Sequence, residues 1–73
     1  MEQKLNNYVE RHLEYARGWK GNSKIVVQME SKAFAAVEFF CELVCEENPE
    51  LEKKIIDRWE NEWREEFFKL SLS

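Results

Sequence analysis

Between Ser23 and Glu47 the chain places thirteen apolar residues within an arc of about 200° on a helical wheel. They are Ile25, Val26, Val27, Met29, Ala33, Phe34, Ala36, Val37, Phe40, Cys41, Leu43, Val44 and Cys45. Gln28, Ser31, Lys32, Glu38, Glu42 and Glu46 share the remaining arc. A helix with one neighbour needs an apolar stripe of roughly 100°. An arc twice as wide calls for two neighbours, so this segment is the expected centre of a small helical assembly.

The flanking segments supply those neighbours. Over residues 3–18, Leu5, Tyr8, Val9, His12, Leu13, Tyr15, Ala16 and, just beyond, Trp19 share one face. Gly18 and Gly21 bracket the end of this first helix, since glycine most easily takes the left-handed conformation there. Asn22 or Ser23 then offers a capping oxygen to the second helix, expected over 23–47. Asn48-Pro49 marks the next boundary, because proline forces its predecessor out of the α region and fits a first helical turn. The third helix is expected over 49–69, with Leu51, Ile55, Ile56, Trp59, Trp63, Phe67 and Leu70 inward. Opposite charges four apart lace its outer face: Lys53–Asp57, Arg58–Glu62, Glu60–Arg64 and Glu65–Lys69. The fold class that follows is all-α, a three-helix antiparallel bundle forming one domain over residues 1–73. A competing reading makes Lys24–Met29 and Phe68–Ser73 a two-stranded ribbon. Such a ribbon is marginal alone and needs a dimer to complete a sheet.

At 73 residues a hydrophobic core is close to the smallest that suffices alone, and dimerisation is a common supplement. A homodimer is therefore expected. Charges interrupt every apolar run, so no membrane span is expected. The start, MEQKLNNYVERHL, lacks the apolar stretch of a secretion signal, which points to a cytoplasmic protein with reduced thiols.

The net charge of −4 is unevenly spread. Residues 1–24 carry five basic and three acidic groups, whereas residues 25–73 carry six basic and twelve acidic ones. An acidic majority argues against a broad nucleic-acid surface, which needs clustered Lys and Arg to neutralise phosphates. Two nucleic-acid readings remain as alternatives: a regulator using Lys4, Arg11, Arg17, Lys20 and Lys24 of the first helix, or an acidic DNA mimic using the third.

Candidate chemistry is sparse. Cys41 and Cys45, four apart on the apolar arc, read as small buried hydrophobes rather than metal ligands, because no fourth ligand accompanies them and His12. No metal or cofactor is expected. His12 and Glu30 lie equally far from a turn near residue 21 and on apolar faces, so they are expected to touch across the hairpin. A carboxylate–imidazole pair can orient a general base or fix helix register. Without a nucleophile or evident pocket the structural role is preferred, and an enzyme is not expected. Trp59 and Trp63 follow the third helix's stripe and belong to the core. Phe39 and Phe68 fall outside their apolar arcs, beside charged residues that include Lys32, Glu42 and Arg64. These five residues are the candidate partner-binding set. The expected function is thus a small acidic interaction module, a regulator or inhibitor that works by binding another macromolecule, with a protein as the expected partner.

Overall fold

The structure, a computed structural model, describes residues 2–44 and 47–72. It contains helices α1 (Glu2–Arg17), α2 (Ser23–Val44), α3 (Pro49–Arg58) and α4 (Arg64–Leu72), with a π-helical turn, Trp59–Trp63, joining the last two. The chain thus forms three helical rods and is all-α, 39 × 18 × 16 Å in extent. Residues 24–29 and 68–72 are helical, and no strand occurs among the described residues, so the ribbon reading is set aside. The expected end of the second helix, at Cys45 to Glu47, falls partly on Cys45 and Glu46, which lie outside the described residues.

The helix boundaries follow local chemistry. Asn22 caps α2: its Oδ1 accepts from the Ile25 N–H at 3.3 Å, and its carbonyl accepts from Val26 at 3.0 Å. Asn48 repeats the device at α3, accepting from the Leu51 N–H at 3.2 Å, with Pro49 at the first helical position and Glu50 and Glu52 in the first turn. Between α1 and α2 the chain turns through residues 18–21, where Gly21 has φ 89°. That angle lies in the left-handed region that only glycine enters at little cost. The Gly21 N–H donates to the Leu70 carbonyl at 3.2 Å, which ties the turn to the end of α4.

The core is a continuous apolar cluster. Leu5, Val9, Leu13 and Ala16 come from α1, and Val26, Ala33, Val37 and Phe40 from α2. Ile55, Trp59, Trp63 and Phe67 come from the third rod, with Met29, Ala36, Cys41, Leu51, Ile56 and Leu70 packed against them. Each fully buried Val, Leu, Ile or Phe side chain stabilises the fold by about 1.5–3 kcal/mol. α1 packs chiefly on α2, and α4 touches both. Polar contacts align α1 with the third rod: Lys54 pairs with Glu2 at 3.4 Å, and Arg58 donates to Asn6 at 3.0 Å. Further along, the Trp63 indole N–H donates to Glu10 at 3.1 Å, and Arg17 pairs with Glu66 at 3.8 Å.

The π turn departs from the expected uninterrupted third helix, and its cause lies in the spacing of the core residues. Ile55, Trp59, Trp63 and Phe67 recur every four residues. On an α-helix each step of four overshoots a full turn by about 40°, so the stripe would slew by about 120° across the four. A π turn, bonded from i to i+5, holds more residues per turn and cancels part of that drift. The Arg64 N–H bonds to the Trp59 carbonyl in this pattern. Trp63 and Phe67 consequently stay buried with Ile55 and Trp59, and the Arg58 guanidinium stacks over the Trp63 ring at 4.4 Å. Of the four ion pairs expected along this rod, Arg58–Glu62 forms, at 3.7 Å. Lys53 and Asp57 form no ion pair among the described residues, and neither do Glu60, within the π turn, and Arg64, just after it.

Candidate interaction surface

Two rods flank α2, as its wide arc demands, yet part of the arc remains uncovered. Val27, Phe34 and Leu43 are exposed, whereas Val26, Ala33, Val37 and Phe40 are buried. The first helix behaves alike: Tyr15 is 54% and Trp19 45% exposed, contrary to their placement on its apolar face. Phe34 is exposed at the edge of the third rod, against Trp59, whereas the exposure of Tyr15 has another cause. The third rod occupies only one of the two grooves between α1 and α2.

Its groove is identified by Glu2, Asn6, Glu10 and Arg17, the α1 residues that bond to it. About 160° around α1 from Glu10 lies Tyr8, which opens onto the other groove. That groove, about 450 Å³, is lined by Tyr8, Arg11, His12 and Tyr15 from α1 and by Met29 and Lys32 from α2. His12 is half-buried there. Its Nδ1 donates to the Tyr8 carbonyl at 2.8 Å, and its ring lies 4.3 Å from the Tyr8 ring. A carbonyl can only accept, so Nδ1 holds the proton and Nε2 is left without one in the neutral ring.

The expected His12–Glu30 contact does not form: neither a hydrogen bond nor an ion pair joins them among the described residues. Equal distance from the turn put them at one level but did not fix their direction. Met29 enters the groove beside His12, and the next residue on a helix points about 100° away. His12 meanwhile finds its acceptor one turn back on its own helix. A base oriented by a carboxylate is therefore not assembled at this position.

The five residues singled out from the sequence do not converge. Phe39 is 63% and Phe68 59% exposed, as their off-face positions imply. Phe34 meets Trp59, with ring centroids 5.1 Å apart, while Gly21 meets Leu70, so levels fall along the third rod as they rise along α2. Phe39 lies five residues beyond Phe34, and Phe68 lies nine beyond Trp59 in the opposite sense. The sum, fourteen residues, is about 21 Å along the axis. Each Phe has an exposed apolar residue one turn on, Leu43 for Phe39 and Leu72 for Phe68. Lys32 lines the α1–α2 groove, while Glu42 stands exposed one turn from Phe39 and Arg64 exposed one turn from Phe68. Periodicity could have found the groove, because Tyr8, Arg11 and Tyr15 recur at helical spacing. Which flank of α1 the third rod would cover was not readable from it.

Other chemistries find little here. Cys41 is half-buried against the core rather than fully enclosed, and Cys45 lies outside the described residues. No group of three His, Cys, Asp or Glu side chains stands together as a ligand set among the described residues. None of the described helices is long and apolar enough to cross a membrane. Arg17, one of the five basic residues of the nucleic-acid alternative, is turned toward Glu66. The third rod mixes Lys53, Lys54 and Arg58 with Glu50, Asp57 and Glu62 along a single hollow, unlike the unbroken charge of a phosphate backbone. The chain matches no protein-family model, and no curated protein or solved structure matches it.

Proposed function

We propose that this chain is a small cytoplasmic protein-interaction module that regulates or inhibits another macromolecule by binding it. On this reading the three rods form one domain, an antiparallel bundle with α2 at its centre, and a second copy covers the free end of α2. The observation that carries it is the exposed pair Phe39 and Leu43, 63% and 65% exposed on adjacent turns. His12 stands opposite Met29 and Lys32. The start of α1, ten residues earlier at Glu2, reaches only to about residues 39–42 of α2 by the same spacing. Leu43 thus overhangs its neighbour, with apolar surface that water covers in the monomer. A stable interface buries roughly 800 Å² per partner, about 15% of the 5202 Å² surface here.

Sedimentation equilibrium on the wild type and on Phe39→Glu/Leu43→Glu tests the dimer. The wild type is expected to dimerise, and the double variant to be monomeric with an unchanged helical spectrum. A wild type that stays monomeric to millimolar concentration overturns the homodimer. Affinity capture from the native cell with wild type and Phe39→Glu/Phe68→Glu tests the partner. A double variant that retains every captured protein removes both phenylalanines from the binding surface.

A further inference from the structure

We infer that the open α1–α2 groove is the docking site for an acidic amphipathic helix of a partner protein, which would lie there as a fourth helix of the bundle. The inference rests on the interaction-module reading above and names the class of partner.

Two packed helices present two grooves, and the third rod fills one of them. The other keeps Tyr8, His12 and Met29 half-buried and Tyr15 exposed, a strip of rings and a flexible thioether with no helix across it. Methionine adapts to varied apolar partners, and tyrosine supplies contact area at little entropic cost. From Lys4 to Tyr15 the α1 flank runs eleven residues, about 16 Å, which matches three turns of a docked helix. Helices laid in grooves anchor through side chains at i, i+3 or i+4, and i+7.

The formal charges lining the groove are Arg11 and Lys32, and no carboxylate lines it. Lys4 lies on the same α1 flank, in an adjoining hollow that Tyr8 and Arg11 share with Glu10 and Glu14. Along α2 the groove-facing line runs Ile25, Met29, Lys32, Ala36 and Phe39, and it too lacks an acid. The ion pairs among the described residues, Arg17–Glu66, Lys54–Glu2 and Arg58–Glu62, all involve the third rod. Lys4, Arg11 and Lys32 form no ion pair among the described residues of a protein of net charge −4. Their field selects an acidic partner and speeds its encounter.

The acidic rod of a second copy offers too short a face: its stripe of Ile55, Trp59, Trp63 and Phe67 is buried in its own core, which leaves Phe68 and Leu72, a single turn apart, exposed. Single-stranded nucleic acid would use rings and cations together, but three cations neutralise few phosphates on an acidic protein.

The test displays a library of random 16-residue segments on phage and selects against the folded wild type. It then measures the enriched peptides on wild type and on Arg11→Glu/Lys32→Glu by fluorescence anisotropy at two salt concentrations. The expected result is enrichment of acidic sequences with apolar residues at helical spacing. Their binding should weaken with salt and fall at least about tenfold in the variant. Enrichment of neutral or basic segments, failure to enrich any, or equal binding by the variant overturns the inference. So does binding of a labelled 15-nucleotide single strand that the variant abolishes, which would make the groove a nucleic-acid site. Sedimentation of the same variant separates this inference from the dimer reading. Dimerisation is expected to be unchanged, and its loss would make the groove an interface between copies.

Discussion

Deleting Asn61 should leave the fold intact, whereas inserting an alanine at the same point should break it. The π turn absorbs one residue more than an α-helical stripe can hold. With Ile55 at 0° on an ideal α-helix, Trp59, Trp63, Phe67 and Leu70 fall at about 40°, 80°, 120° and 60°. Without Asn61 their spacing becomes four, three, four and three. The same residues then fall at about 40°, −20°, 20° and −40°, all on the core side. Asn61 is exposed and its side chain makes no hydrogen bond among the described residues, so its loss costs little. Stability should change by no more than about 1 kcal/mol, a shift within about 8 °C in Tm for a domain this small. An inserted alanine sends Trp63, Phe67 and Leu70 to about 180°, 220° and 160°, facing water. Losing Phe67 from the core costs about 3–5 kcal/mol by itself. The insertion should therefore lower Tm by more than about 12 °C or prevent folding. Thermal and urea unfolding followed by circular dichroism compares the three proteins. A deletion as damaging as the insertion would refute the phase argument.

Two further perturbations test the joints of the fold. Gly21→Ala places a Cβ on a residue with φ 89° and should cost about 1–2 kcal/mol in urea unfolding, with Gly18→Ala as the control at ordinary φ. A Gly21 variant as stable as the control would show that the turn relaxes out of the left-handed region. Asn48→Ala removes the acceptor for the Leu51 N–H and should cost about 1 kcal/mol, while Asn48→Ser should restore most of it. Equal stability of Asn48→Ala and wild type would mean that water or another group caps α3.

Much of the fold was legible because it depends on neighbours in sequence. Asn22 and Asn48 cap their helices by bonds to residues three ahead, and Gly21 turns by its own backbone freedom. The inward stripes Leu5–Val9–Leu13–Ala16 and Val26–Ala33–Val37–Phe40 repeat at the helical period, so the wheel found them. The exposure of Phe39 and Phe68 was legible for the same reason. The π turn was half-legible: strict fourfold spacing from Ile55 to Phe67 announced a conflict with 3.6 residues per turn, but not how it would be resolved.

The candidate site was less legible, because it depends on what a face meets across space. Residue count placed His12 level with residues 29–32, yet azimuth decided that Met29 and Lys32, and not Glu30, share its groove. Tyr15 and Trp19 sit on an apolar face that one more helix would have covered, and the third rod went to the opposite flank, where Glu10 meets Trp63. Amino-acid order thus sufficed to define three helical rods, their ends and their inward residues, since propensity, capping and periodicity act within a few positions. Packing alone decided which groove was filled, which was left open and where the helix had to widen. Those outcomes turn on the relative rotation of whole rods, a quantity set by all the buried contacts together and by no single stretch of chain.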